Sequence, residues 1–192
     1  DFKMLRARCP LTYPNLIAPD SEIINKEFYQ KAGKVILQSK RHQEVVYNNL
    51  KIDNLVSAPC NPWKEEDLRL LEILSKNKKT HSSAILIYGV PQKNTVGAIN
   101  YCLQNNIDFS AIHPKAHGDF LLELSKHHSL VFFPLVFETF SRVSFEARCL
   151  GLELIANENI SFLHEESSKL KGQELINFAR KSNNKILDLF TE

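Results

Sequence analysis

Between residues 84 and 190 the chain alternates four times between short apolar runs and helical patterns. That alternation constrains its fold more than any other feature. AILIY (84–88) is β-branched and aromatic and is closed by the breakers Gly89 and Pro91. Val96, Ile99 and Leu103 then recur at helical spacing across NTVGAINYCLQNN. IDFSAI (107–112) is strand-like, and HPKAHG turns the chain into the helical DFLLELSKHH. SLVFF (129–133) predicts a strand, SRVSFEARCL (141–150) a helix and LELIA (152–156) a strand. A last helix runs from about Gln173 to Phe190, with Leu175, Phe178, Ala179, Ile186 and Leu189 inward. Strands that alternate with helices of this length build right-handed βαβ units and a parallel sheet. Their almost wholly apolar character requires helices on both faces. The fold class predicted is α/β, a Rossmann-like parallel sheet flanked by helices.

Residues 1–62 have a different texture. LTYPNLIAPDSEIIN is rich in proline and asparagine, KVILQ (34–38) and NLVSA (54–58) are strand-like, and RHQEVVYNNL between them is a short helix. PCNPW (59–63) is a joint, followed by the amphipathic EEDLRLLEILSKN (65–77) with Leu68, Leu71 and Leu74 inward. Trp63 is expected to pack between the joint and that helix, and KNKK (76–79) to be a solvated loop. Two strands in this part would lack the rest of their sheet and leave open edges. The start, DFKMLRARCP, does not begin with methionine and lacks a signal-peptide core, so a fragment of a longer chain is expected.

Bulk properties narrow the class. A net charge of +2, with aromatics confined to apolar runs, argues against nucleic acid as a partner. No run approaches the roughly 18 apolar residues a membrane span needs. Cys9, Cys60, Cys102 and Cys149 are too scattered for a zinc site or a disulfide framework. Reduced thiols, with Cys102 and Cys149 buried in helices, and a cytoplasmic location are the expectation.

Ligands of parallel α/β sheets gather at the carboxyl ends of strands, here GVPQKN (89–94), HPKAHG (113–118) and PLVFETFS (134–141). The third loop enters a helix that Thr139 or Ser141 could cap. Its N-terminus suits a phosphate, with Arg142 and Lys93 adding charge. Glu138 and Glu146 look misplaced beside phosphate until hydroxyls are added, since a carboxylate accepts from two vicinal hydroxyls. Phosphate flanked by sugars outlines a nucleotide-sugar.

ETFSRVSFEARCLGLELIAN resembles the E-x7-E segment of retaining glycosyltransferases of the GT-B fold, the glycosyl transferases group 1. The match comprises Glu138 and Glu146, then Ala147, Gly151 and the strand LELIA. It extends upstream through the strand ending at Gly89, Lys93, and KVILQSKRHQEVVYNNLKIDNLVSAPCNPW, over about 155 of 192 residues. Spacing alone is weak, because Glu158/Glu166 and Glu166/Glu174 share it. The setting between strand, proline loop, helix, glycine and strand is what distinguishes Glu138/Glu146.

The resemblance implies that residues 63–192 form the C-terminal nucleotide-sugar (donor) domain of a GT-B fold. Residues 1–62 would then be the end of the N-terminal, acceptor-side domain and the joint. Glu138 would accept from hydroxyls of the transferred sugar, and Lys93 would neutralise the departing diphosphate. Backbone N–H groups around Phe140, Ser141 and Arg142 would meet phosphate and sugar, and Glu146 would hold the ribose. His113 or His117 would edge the base pocket, and Arg41 and His42 would face the interdomain cleft. No cofactor or metal is implied, although HPKAH and His127–His128 invite a metal reading. The partners would be a nucleotide-sugar, an unidentified glycan, lipid or protein acceptor, and the missing N-terminal domain, which could make the whole protein peripheral to a membrane.

Val90 and Asn94 stand where the family usually has arginine and glycine, and the lysine loop is about two residues shorter. NENIS stands where many relatives have a glycine pair. Diphosphate binding is then expected to weaken unless Arg142 supplies the missing charge. A non-catalytic binding or scaffold module of the same fold, and a nucleotide-sugar epimerase, are the alternatives.

Overall fold

The computed structural model describes residues 2–58 and 60–191. Pro59 of the joint, with Asp1 and Glu192, lies outside them. The chain is an α/β protein with two parallel sheets. After a short helix α1 (Lys26–Lys31), strands β1 (Val35–Leu37) and β2 (Leu55–Ser57) pair around helix α2 (Lys40–Leu50), with Val35 opposite Leu55. Helix α3 (Glu65–Leu74) leads into the main sheet. That sheet alternates β3 (His81–Leu86), α4 (Thr95–Gln104), β4 (Phe109–Ile112), α5 (His117–Leu124), β5 (His127–Phe132), α6 (Arg142–Cys149) and β6 (Glu153–Ala156). Helix α7 (Gln173–Thr191) follows, and the strand order is β4-β3-β5-β6.

Period-two alternation divides the strands between two cores. Ala84, Leu86, Leu130 and Phe132 face the large cluster built with α3, α5, α6 and α7. Ile85 and Val131 face the other way, onto Ala98 and Cys102 of α4. Leu68, Leu71 and Leu74 of α3 are all buried, as their spacing predicts. A third cluster gathers around α2 and includes Phe2, Met4, Val45 and Leu50. Phe137, from the loop after β5, also belongs to it and meets Phe2 edge-on at 5.2 Å. The N-terminal part is therefore packed directly onto that loop.

Four local expectations differ from what is observed. The stripe predicted for α4 holds only at Ile99, which packs partly buried on the sheet: Val96 and Leu103 are 68% and 63% exposed, and the smaller Ala98 and Cys102 meet the sheet. The first turn fixes this rotation. Thr95 Oγ1 donates to Leu86 O (2.9 Å), Asn94 Nδ2 donates to Phe133 O (3.0 Å), and Asn94 Oδ1 accepts from Gly97 N (3.1 Å). A Cβ at 97 would lie 2.3 Å from the Asn94 amide, so any other residue there would displace the side chain that makes these bonds.

The helix expected over DFLLELSKHH begins earlier and stops at Leu124, and His127 and His128 open β5 instead. Pairing of His81 with His127 extends both strands by two or three residues beyond the apolar runs. The KNKK segment is not wholly solvated. Lys79 is partly buried and donates at 2.7 Å to both Ser125 O and Leu150 O, tying the ends of α5 and α6 together. Burial lowers its pKa, with Lys171 adding to the effect. His42 faces no cleft: it is buried against Phe2, their rings 4.9 Å apart.

Cys60, Cys102 and Cys149 are buried free thiols, and Cys9 is partly exposed. Among the described residues no helix is long and apolar enough to cross a membrane.

Candidate functional site

The connection after β3 runs through α4 to one side, while that after β5 runs through α6 on the opposite face. β3 and β5 are neighbours, so their carboxyl ends mark the point where the order reverses. A parallel sheet opens a crevice there. A cavity of about 650 Å³ occupies that place, walled by the ends of β3, β4 and the loop and helix after β5.

Of the residues singled out in the sequence, Lys93, His113, Glu138, Ser141, Arg142 and Glu146 all line this cavity. Phe140 does not. Its ring lies in the core, 5.5 Å from Phe145 and 5.4 Å from Phe162.

Lys93 ends a 3-10 turn, Pro91–Lys93, and Asn94 in the left-handed region starts α4 immediately after it. Its Nζ donates to Glu138 Oε1 at 2.5 Å and sits over the rings of Tyr88 and Phe132 at 5.8 and 5.7 Å. Tyr88, which the sequence reading did not single out, is pushed up to about 12 by burial, with Glu138 and Glu146 adding to the effect. It remains a protonated phenol at neutral pH.

Glu138 is held by its backbone: its N–H donates to Asn159 O (2.8 Å) and its carbonyl accepts from Ser161 N (3.0 Å). Asn157 and Asn159, from the NENIS loop, both donate to Pro134 O, at 2.9 and 2.8 Å. The asparagines thus brace the proline loop. Leu135 N to Gln92 O (2.9 Å) joins that loop to the lysine turn.

Ser141 occupies the N-cap position of α6 with φ 70, a left-handed conformation that turns the chain sharply into the helix. Neither predicted cap forms. Ser141 Oγ pairs with Ser144 Oγ at 2.8 Å, and the Thr139 hydroxyl donates to Gln38 Oε1. Among the described residues no side-chain cap bond forms at this N-terminus, so its first N–H groups and partial positive charge face the cavity, where they suit an anion.

Glu146 sits one helical turn beyond Arg142 and is buried, whereas the equally spaced Glu158, Glu166 and Glu174 are exposed. Its Oε1 accepts from His117 Nε2 (2.8 Å) and Arg142 Nε (3.1 Å). Burial raises its pKa, while His117 and Arg142 pull it down. Arg142 also donates through Nη2 to Asp67 Oδ2 (3.0 Å) and lies 4.3 Å above the Trp63 ring. Trp63 itself stacks on Phe145 at 5.0 Å and donates from Nε1 to Cys60 Sγ at 3.3 Å.

Asp67 was not legible as a site residue. It stands beside Glu65 and Glu66 in the first turn of α3, where acids are expected for the helix dipole alone. The N-terminal part closes the other side: Ser39 Oγ donates to Thr139 O (2.8 Å), and Arg41 lies 5.1 Å from the Phe137 ring and donates to Glu158 O.

Two carboxylates, a lysine and an uncapped helix N-terminus thus share one cavity. Lysine and N–H groups attract phosphate, and carboxylates accept from hydroxyls. Among the described residues no cluster of three or more His, Cys, Asp or Glu side chains could hold a metal ion.

Fold and site together define an α/β protein with a Rossmann-like parallel sheet and a charged crevice at its switch point. No family model, curated protein or solved structure matches the chain.

Proposed function

We propose that this chain is the donor-binding half of a retaining glycosyltransferase of the GT-B fold. The supporting observation is the placement of the Lys93–Glu138 pair and the buried Glu146 on walls of one switch-point cavity, with the start of α6 among its lining. In this reading a nucleotide-sugar lies with its diphosphate over the α6 N-terminus and Lys93. Its ribose hydroxyls donate to Glu146 and its sugar hydroxyls to Glu138, and the base lies towards His113. Transfer with retention proceeds by positioning the acceptor on the departing face and stabilising the diphosphate, without a covalent nucleophile. The acceptor, a glycan, lipid or protein, would be bound largely by an N-terminal domain.

One observation favours a second reading, a non-catalytic nucleotide-sugar-binding module. Val90 carries no charge where a diphosphate contact is wanted, and Arg142 is already engaged by Glu146 and Asp67.

The test is a thermal-shift titration with UDP-, GDP- and ADP-sugars. A ligand at about a hundred times its Kd adds roughly 2.7 kcal/mol, raising Tm by about 5–10 °C in a chain of this size. One nucleotide class should give that shift, and Glu146→Ala should abolish it. No shift with any class refutes the proposal.

A further inference from the structure

Glu146 is 3% exposed, and both of its protein donors meet the same oxygen. Among the described residues no donor meets Oε2. The arrangement divides the carboxylate: one oxygen is anchored, the other is left to a ligand. Neither anchor is rigid by burial, since the His117 and Arg142 side chains are 42% and 48% exposed. Asp67 of α3 steadies both. Its Oδ2 takes Arg142 Nη2 at 3.0 Å and its Oδ1 lies 3.7 Å from His117 Nδ1, closing a ring of four side chains. The Trp63 ring supports the guanidinium from below. Arginine is fixed by that stacking and by two carboxylates, so the imidazole is the member whose removal alters Glu146 most directly.

We propose that His117, braced by Asp67, is a positioning residue for Glu146: it anchors Oε1 and thereby presents Oε2 to the vicinal hydroxyls of a ribonucleotide. The proposal rests on the nucleotide-sugar reading and adds to it a residue outside the E-x7-E helix. It also explains why α3, whose remaining contacts are structural, turns one acid into the site. The ligand class that follows is a nucleotide with an intact cis-diol.

His117→Leu removes the donor, and His117→Gln keeps an N–H within reach. Calorimetric titration of the chain with UDP and GDP, each beside its 2′,3′-dideoxy counterpart, separates positioning from general damage. A charge-assisted hydrogen bond of ordinary strength predicts about a tenfold loss for the ribonucleotide in His117→Leu. The dideoxy affinity should stay unchanged, and His117→Gln should recover most of the loss. Asp67→Ala should show the same discrimination more weakly. Equal losses on both sugars, or none on the ribonucleotide, overturn the proposal.

A readout in the ligand-free protein stands apart from nucleotide binding. Carbon-13 titration of labelled glutamate carboxyls should show the Glu146 midpoint rising in His117→Leu, because burial then acts with one donor fewer. Tyr88, Arg142 and Cys149, which also interact with it, are unchanged in that variant. An unmoved midpoint overturns the positioning role. Failure of wild-type protein to bind either nucleotide sinks the nucleotide-sugar reading and the diol with it, while the carboxyl titration still decides the role of His117.

Discussion

Replacing Glu138 with glutamine should tighten the binding of a bare nucleoside diphosphate, by roughly tenfold, while weakening transfer from the complete sugar donor. In the free protein the Lys93 ammonium and the Glu138 carboxylate satisfy one another at 2.5 Å, with side chains only 29% and 16% exposed. A diphosphate must compete with that carboxylate for Lys93 and must approach its negative charge. Glutamine removes both obstacles. It also leaves a partly desolvated ammonium without its counter-ion, which destabilises the free protein by about 1–3 kcal/mol and makes the phosphate more welcome. The sugar hydroxyls then meet an amide instead of a carboxylate, so the gain is confined to ligands without the sugar. Lys93→Ala should do the reverse, weakening the diphosphate by tenfold or more. Calorimetry with a nucleoside diphosphate checks the pair, and a loss of diphosphate affinity in Glu138→Gln would contradict the assigned competition.

A second large effect is expected from acid. Burial holds His42 and His127 down to about 4 from the ordinary 6.5. At His127 the charges of His81 and Lys126 act in the same direction, and Glu123 and the Ser83 backbone oppose them. His127 is wholly buried, and neither ring nitrogen finds a hydrogen-bond partner of good geometry among the described residues. His42 Nδ1 accepts from Gln38 N at 3.4 Å, a contact available only to the neutral ring.

Because both folded pKa values lie below the unfolded one, the unfolded chain takes up protons first as pH falls. Stability is full above about pH 6.5 and declines between 6.5 and 4, by about 3 kcal/mol per histidine at most. Glu146 works weakly the other way, since its raised pKa lets the folded state bind a proton early. Urea unfolding across this range should show the decline, and His127→Leu should remove about half of it. A flat profile between pH 6.5 and 4 would contradict the burial assigned to both rings.

The legible parts of the fold were those set by local pattern. Four strands and five helices of residues 63–192 followed from apolar runs and breakers, because both faces of β3 and β5 are covered and their inner stretches, Ala84–Leu86 and Leu130–Phe132, are apolar. The rotation of α4 was not legible. Asn94 and Thr95 fix it through bonds to Phe133 and Leu86, and a stripe of larger residues is overruled by those contacts. Lys79 read as solvent-exposed because its two carbonyl partners lie 46 and 71 residues away.

In the site, position along the chain brought Lys93, Glu138, Arg142 and Glu146 to the carboxyl ends of the strands, as parallel topology requires. Asp67 and the ring it closes with His117 depend on how α3 packs beside α5 and α6, which no spacing encodes. Phe140 was named for its backbone N–H, and its ring, which the local pattern left unassigned, packs into the core against Phe145 and Phe162.

The most direct test of the central claim is an amide nitrogen–proton spectrum of the chain, titrated with a nucleotide-sugar of the class selected by thermal shift. A donor at the switch point should move the amides of Gly89, Val90, Gln92, Lys93 and Asn94 and of Ser141 to Val143, together with those of His113, Lys115, Ala116 and His117. The α2–β2 surface around Tyr47 and Asp53, which holds a second and smaller cavity of about 380 Å³, should stay still. Shifts confined to that second surface, or no saturable shifts at all, would contradict a nucleotide-sugar site between Lys93 and Glu146.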